Sequence, residues 1–199
     1  PLPVRRIERE IGAALHTCPR LVLAAPTGSG KTTQVCQILL DRGLAGPRQI
    51  LVLQPRRVAV RAAARRVAAE RHGPLGQEVG YQVRFEDRVG PDTRIRFITE
   101  GILLRMLETD PQVAAAGAIL FDEFHERSLD SDIGLALARR LQSEARPDLL
   151  IIVMSATLDT APVARFLGDC PVLTTEQRTH PIDIRYLAGS PREPLPDLA

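Results

Sequence analysis

Of the 26 lysine and arginine residues in this 199-residue chain, only one is a lysine, Lys31. It lies in the segment 25–32, which reads APTGSGKT. This segment matches the phosphate-loop pattern G-x-x-x-x-G-K-[ST] except at its first position, where Ala25 replaces glycine. Lysine carries a compact charge on a flexible stem, which a narrow loop around a phosphate accommodates more readily than the planar fork of arginine. The segment therefore predicts nucleotide binding.

The sequence around this loop indicates a strand before it and a helix after it. The apolar run 21–24 predicts a short buried strand, and 32–40 predicts the helix. Gly28 and Gly30 permit positive φ and a close approach of the backbone to a phosphate. Backbone N–H groups would hold the β-phosphate, the lysine would bridge the β- and γ-phosphates, and the Thr32 hydroxyl would hold Mg²⁺. The alternative is a Gly/Ser-rich turn that only caps a helix.

A pair of adjacent carboxylates, Asp122 and Glu123, follows the apolar run 118–121. Carboxylates at the end of a buried strand suit a metal-assisted hydrolysis, with Asp122 in the Mg²⁺ shell and Glu123 orienting or deprotonating water. His125 is too close to them to form an independent metal site, and we expect it to link the phosphate state to neighbouring segments. The alternative is that both carboxylates favour the start of a helix near Ser128.

Apolar runs alternate with helical patterns along most of the chain. Three of these runs, 49–53, 118–121 and 149–154, are continuously apolar, as in strands buried on both faces of a parallel sheet. The alternation predicts an α/β fold with an open, mostly parallel sheet and helices on both faces. The predicted strands are 21–25, 49–53, 79–83, 94–98, 117–121, 149–154, 171–173 and 182–187. The predicted helices are 4–16, 31–43, 56–72, 100–109, 129–146 and 160–167.

Short polar segments directly follow the predicted strands. Ligands of open α/β sheets bind beyond the carboxyl ends of the strands, so we expect these segments to meet at one edge. They are 27–32, 54–57, 99–101, 122–125 and 155–157.

The composition is that of a globular protein, with 44% hydrophobic and 25% charged residues. A net charge of +2 gives no overall basic field, and the absence of Trp argues against a surface that stacks many bases. A bound strand would instead contact backbone amides, hydroxyls and arginines. The odd number of cysteines, without metal-ligand spacing, predicts thiols in a reducing compartment.

We find no membrane-spanning run and no signal peptide in the sequence, and the preference for arginine over lysine is typical of a GC-rich bacterial genome. These features predict a bacterial cytoplasmic protein without membrane partners. The first residue is Pro rather than Met, so we expect a fragment or a trimmed chain.

Taken together, these segments resemble the first RecA-like domain of the DEAH-box group of superfamily 2 helicases. The resemblance runs from the first helix to about residue 187. Phe124 departs from the group's pattern, where alanine is usual, and with the segment 178–181 it is most similar to the bacterial HrpB-type members. Five motifs carry the resemblance: I at 25–32, Ia at 54–59, Ib at 99–105, II at 122–128 and III at 155–159.

The resemblance implies a RecA-like P-loop NTPase domain over 1–187, followed by a linker or truncated end over 188–199 that leads to a missing second lobe. It implies an ATP-dependent nucleic-acid helicase with ATP and Mg²⁺ as cofactors, and with single-stranded RNA or DNA and a second RecA-like lobe as partners. The implied nucleotide-binding residues are Thr27, Gly28, Ser29, Gly30, Lys31, Thr32, Thr33 and, against the nucleobase, Arg66. The implied catalytic residues are Lys31, Asp122, Glu123 and His125, and the implied metal ligands are Thr32, Asp122 and Glu123. The implied nucleic-acid contacts are Arg56, Arg57, Thr99 and Glu100, and the implied coupling residues are Ser155 and Thr157.

Other interpretations of these residues remain open at this stage. Arg66 lies on an Arg/Ala-rich helix and its alternative is a solvated face, while Ser155 and Thr157 can cap a helix or turn. Cations are unfavourable at a helix N-terminus, so the placement of Arg56 and Arg57 favours phosphate binding. The alternative functions are a P-loop ATPase that remodels or secretes protein substrates and a non-catalytic strand-binding module.

Overall fold

The computed structural model describes residues 2–156 and 160–175. The predicted strand 182–187, the segments 178–181 and 188–199, and Thr157 lie outside the described residues. The described strands are β1 Arg20–Ala24, β2 Gln49–Gln54, β3 Val79–Val83, β4 Glu86–Arg88, β5 Ile95–Thr99, β6 Ala116–Phe121, β7 Leu150–Ser155 and β8 Val172–Thr174. The described α-helices are α1 Pro3–Arg6, α2 Glu8–Thr17, α3 Lys31–Asp41, α4 Arg57–Glu70, α5 Glu100–Thr109, α6 Leu129–Glu144 and α7 Ala161–Phe166.

The strands form one sheet in the order β4-β3-β5-β2-β6-β7-β1-β8. Every described pairing is parallel except that of β4 with β3. The prediction of an open, mostly parallel sheet is confirmed. The order places β2, β6, β7 and β1 side by side, so the segments that leave these four strands emerge at one edge.

Side chains alternate between two apolar layers along each central strand. In β2, Ile50 and Val52 pack with residues of α2, α3 and α4, whereas Leu51 and Leu53 pack with residues of α5, α6 and α7. Because both layers are apolar, the central strands need apolar side chains at every position. The predicted helices on both faces are therefore confirmed.

Three local features differ from the sequence prediction. The predicted helix 4–16 is interrupted at Ile7, whose φ of −101° and ψ of 19° separate α1 from α2. The strand β4 and a 3₁₀ turn at Phe124–Glu126 were not predicted. The hairpin between β3 and β4 turns at Phe85, which adopts a φ of 67°. No glycine or asparagine marks that turn, and the three residues of β4 are all charged, so the usual signals of a hairpin are missing.

Gly117 in β6 lies against the backbone of the α3–β2 connection. A Cβ atom at this position would lie 2.3 Å from the carbonyl oxygen of Ala45 and 3.1 Å from its carbonyl carbon. Backbone atoms cannot move away as the end of a flexible side chain can. Glycine is therefore required here for close packing.

We expect Gly117→Ala to lower the free energy of unfolding by about 1–3 kcal/mol, because the added methyl group overpacks a buried strand. Urea denaturation measures this change. Gly73→Ala is the matched control, since its Cβ would meet no atom closer than 4.0 Å. Equal stability of the two variants would contradict the assignment of this contact.

Candidate functional site

The phosphate-loop segment leaves β1 and turns into α3 at the shared edge of the central strands. Gly28 and Gly30 adopt φ values of 78° and 89°. Both values lie in the left-handed region, which favours glycine, so the loop uses the conformational freedom that the sequence offered at these two positions. Ser29 is fully buried, and its hydroxyl oxygen has no hydrogen-bond partner among the described residues.

Residues at the start of the chain pack on the outside of this loop. The Val4 N–H donates to the Ser29 carbonyl oxygen at 3.2 Å. A Cβ at Gly30 would lie 2.8 Å from Cδ1 of Leu2, and Arg5 Nε donates to Gln34 Oε1 at 2.8 Å. Sequence reasoning missed this support, because no motif connects these residues to the loop.

The structure brings the predicted catalytic residues of two distant motifs into contact. Lys31 is only 3% exposed, and its ammonium lies 2.9 Å from Oε1 of Glu123. The Thr32 hydroxyl donates a hydrogen bond to Oδ2 of Asp122. The phosphate loop and the carboxylate pair therefore form one site.

Asp122 is 2% exposed and is held by three donors. Besides the Thr32 hydroxyl, the Gln54 amide donates to its Oδ2, and the Glu123 N–H donates to its Oδ1 at 2.8 Å. Burial raises the pKa of Asp122 to about 6, although the hydrogen bond from Thr32 opposes this rise. Burial disfavours the charged form of this carboxyl group, and a bound divalent cation would offset that cost.

Gln54 is a site residue whose role sequence reasoning missed. It was assigned to motif Ia, but its contact with Asp122 was not predicted. Leu53 and Phe121 are register partners in β2 and β6, so the residues that follow them are neighbours at the sheet edge. The sequence offered one signal of this contact, namely a polar residue at the end of a continuously apolar strand.

The interpretation of the acidic pair as helix caps is wrong. Ser128 occupies the N-cap of α6, and its hydroxyl oxygen accepts from the Ser131 N–H at 2.9 Å. Asp122 and Glu123 instead face Thr32 and Lys31. Both carboxylates thus contact the phosphate-loop segment and not the start of α6.

A cavity of about 600 Å³ opens beside these residues. Lys31 and Asp122 do not line it themselves, but they contact its lining residues Glu123 and Thr32. The size of the cavity and the groups at its edge fit a magnesium nucleoside triphosphate, because hydroxyls and an ammonium suit phosphates and oxygen ligands suit a hard divalent cation. The predicted site residues that line the cavity are Thr27, Thr32, Thr33, Arg56, Arg66, Glu123 and His125. Arg66 is thus at the cleft, with its side chain 69% exposed.

His125 of motif II contacts the backbone of motif III. The Ala156 N–H donates to its Nδ1 at 3.3 Å, so this nitrogen acts as an acceptor. The Ser155 carbonyl oxygen accepts from the Ala25 N–H at 2.9 Å, which ties motif III to the first residue of motif I. The second predicted coupling residue, Thr157, lies outside the described residues.

The predicted nucleic-acid residues divide between two cavities. Arg57, Thr99 and Glu100 line a second cavity of about 610 Å³, next to the tip of the β3–β4 hairpin. Arg56 lines the first cavity instead, and its guanidinium lies 3.2 Å from the carboxylate of Glu126. The carboxylate of Glu100 accepts from the Ser128 hydroxyl, which links motif Ib to the end of motif II.

The hairpin tip brings two further residues to the second cavity. Phe85 is 90% exposed, and the guanidinium of Arg84 lies 4.7 Å from the centre of its ring. An exposed aromatic ring with a cation beside it is suited to contact a nucleobase and a phosphate. Neither residue had been singled out from the sequence.

Among the helices of the described residues, none has the length and apolar character needed to cross a bilayer. Within the same ranges, no group of three or more His, Cys, Asp or Glu side chains is arranged to hold a metal ion. A divalent cation at Asp122 would therefore need oxygen ligands from hydroxyls, phosphates and water. Cys18, Cys36 and Cys170 are free thiols.

Comparison with protein families matches residues 5–166 to the family described as DEAD/DEAH box helicase. The chain is 42% identical over 187 residues to the ATP-dependent RNA helicase HrpB of Escherichia coli (strain K12), which covers 94% of this chain and 23% of that protein. It is also similar to the crystal structure of Escherichia coli DEAH/RHA helicase HrpB, with a TM-score of 0.86 and 40% identity. That match covers 99% of this chain and 25% of the other. The chain thus spans about a quarter of the length of these relatives.

We expect the metal-free protein to lose stability as the pH rises from about 4 to about 6. The pKa of Asp122 rises from an ordinary value of 3.8 to about 6, so the folded state binds this proton more tightly than the unfolded state. The resulting stabilisation is complete at low pH and is lost as the pH rises through the folded-state pKa. A shift of this size corresponds to roughly 3 kcal/mol. Urea unfolding in the presence of EDTA measures it.

Asp122→Asn removes the titrating group and is the reference for this measurement. Between about pH 4 and about pH 6, the difference in unfolding free energy between wild type and variant should change by roughly 3 kcal/mol. A difference that stays constant with pH would rule out the elevated pKa.

Proposed function

This chain belongs to the DEAD/DEAH box helicase family, and on that premise we propose that it is the ATP-binding lobe of an ATP-dependent nucleic-acid helicase. The observation that carries the proposal is the convergence of Lys31 with Glu123 and of Thr32 with Asp122 at one sheet edge. Two motifs about 90 residues apart meet there around a cavity of about 600 Å³. We propose ATP and Mg²⁺ as the cofactors of this site.

The residues of the cleft would divide the work of phosphate hydrolysis. The backbone and hydroxyls from Thr27 to Thr33 would hold the phosphates, with Lys31 as their cation. Thr32 and Asp122 would hold the metal, which when bound neutralises charge on the phosphates. Glu123 would orient or deprotonate the attacking water. Glu123 would also contact the metal, and Arg66 would stack on the nucleobase. These two contacts complete the proposed nucleotide site.

Lys31 must exchange partners when a triphosphate binds. In the structure its ammonium is paired with Glu123. A phosphate that takes over Lys31 releases Glu123, which is 23% exposed and can then face water. The exchange would leave the carboxylate available as a base only when the ligand is present.

We propose that single-stranded nucleic acid binds across the second cavity, at Arg57, Thr99 and Glu100, with Arg56 at its border. The relative named as an RNA helicase favours RNA, and phosphate contacts by themselves do not distinguish RNA from DNA. His125, Ser155 and Thr157 would couple the nucleotide state to strand movement. The contact between His125 and the backbone of motif III supports this route.

We further propose that residues 1–187 form one lobe, that 188–199 lead towards a second RecA-like lobe, and that the protein acts in the bacterial cytoplasm. The chain spans about a quarter of the length of its relatives, which supports the proposal of a second lobe. A second lobe would supply arginine fingers, which are worth about 10³–10⁵ in rate in related phosphoryl transfers.

We expect Glu123→Gln to lower ATP turnover by at least about 100-fold while ATP affinity is unchanged or higher. The amide cannot accept the proton of water, but it no longer competes as an anion for Lys31. Steady-state phosphate release and equilibrium ATP binding measure the two effects. Glu144→Gln, on the exposed part of α6 away from the cleft, should change neither quantity. Loss of binding together with turnover would contradict the proposed role.

The 199-residue chain alone should bind Mg-ATP weakly, hydrolyse it slowly and fail to unwind a duplex, because the proposed transition-state arginines belong to another lobe. A strand-displacement assay with and without ATP tests unwinding.

Addition of single-stranded RNA, DNA or no polymer tests whether a strand stimulates hydrolysis in any longer form of the protein. Stimulation by an unfolded protein alone would instead support a protein-remodelling ATPase.

A further inference from the structure

Glu70, near the end of α4, accepts hydrogen bonds from three side chains. Arg66 Nε donates to its Oε1 at 2.6 Å. Gln34 and Gln37 both donate their Nε2 groups to its Oε2 at 2.8 Å. One oxygen therefore faces the arginine at the nucleotide cleft, and the other faces α3.

The two glutamines fix Glu70 to the helix that carries the phosphate loop. Both are buried side chains of α3. Gln34 Nε2 also donates to Oγ1 of Thr33 at 3.0 Å, and Gln37 Nε2 donates to the carbonyl oxygen of Thr33 at 2.8 Å. Thr33 lines the nucleotide cavity. The carboxylate of Glu70 thus has a fixed position relative to the residues proposed to hold phosphates.

A second pair with the same spacing shows what this anchoring adds. On α6, Arg140 Nε lies 2.9 Å from Glu144, again four residues apart, and both side chains are exposed. Such surface pairs contribute little, since solvent screens them and both side chains lose rotamer freedom. Glu70 differs because buried donors already hold its other oxygen, so only the arginine remains to be ordered.

We propose that Glu70 is a positioning residue that holds the guanidinium of Arg66 at the base-binding end of the nucleotide cleft. The inference rests on the proposed function. An arginine side chain has many rotamers, so an arginine ordered before the ligand arrives costs less to immobilise on binding. Glu70 thereby sets the contribution of the nucleobase to affinity, separately from that of the phosphates.

Glu70→Gln tests the inference by changing one oxygen into an amide group. The remaining oxygen can accept from Gln34 and Gln37, but the NH₂ group then faces Arg66 and cannot accept its hydrogen bond. Two probes separate the ends of the cleft: Mg-ATP, and Mg-tripolyphosphate, which lacks the nucleoside. We expect the variant of the 199-residue chain to bind Mg-ATP about fivefold more weakly, the scale of a guanidinium–ring contact, with tripolyphosphate affinity unchanged.

Three further variants complete the experiment. Arg66→Ala should weaken Mg-ATP binding at least as much as Glu70→Gln, and the double variant should lose no more than Arg66→Ala alone, because Glu70 acts only through Arg66. Glu144→Gln should leave both affinities at the wild-type value. Tripolyphosphate binding also reports that each variant is folded.

The possible results distinguish the two levels of the argument. Unchanged ATP affinity in Glu70→Gln, an equal loss for both probes, or additive losses in the double variant would each overturn the role of Glu70. Equal affinity of the wild-type chain for the two probes would overturn it as well, since the nucleobase would then contribute nothing. A wild-type chain that binds neither probe would instead contradict the proposed nucleotide site.

Discussion

The site depends on one constraint: the almost fully buried ammonium of Lys31 needs an anionic partner. An unpaired charge away from water is costly, and the two carboxylates of motif II lie close enough to compensate for it. Glu123 does so directly at 2.9 Å. The partner is partly exposed, so an incoming phosphate can take its place without unfolding the loop. The electrostatic requirement that pairs Lys31 with Glu123 is thus the same one that the proposed phosphate ligand would satisfy.

The sheet order satisfies this constraint by topology. β1 carries the phosphate loop and β6 carries the carboxylates, and β7 lies between them. Motif III, at the end of β7, is therefore held between the two halves of the site, where Ser155 contacts Ala25 and Ala156 contacts His125. The neighbouring β2 brings Gln54 to the buried carboxyl of Asp122. The side chains that follow four neighbouring strands therefore lie close together at one edge of the sheet.

Sequence patterns predicted the features that depend on continuous apolar runs. The strands β1, β2, β6 and β7 and the convergence of Lys31 with Asp122 and Glu123 followed from such runs and from the polar residues after them. Features set by tertiary contacts could not be predicted in this way. The hairpin turns at Phe85 without a turn-forming residue, and the contacts of Gln54 and Glu70 join elements far apart in the chain. Arg56 lies in a different cavity from Arg57 because consecutive residues at a strand-to-helix junction point in different directions.

The packing of Leu2, Val4 and Arg5 on the phosphate loop has a practical consequence for protein engineering. These residues form the outer wall of the loop, although they precede every recognised motif. A shortened version designed from motif boundaries alone would begin near β1 and expose Gly30 to solvent on that side. The loss would concern the rigidity of this loop, because the removed residues pack on its outer side and belong to none of the recognised motifs.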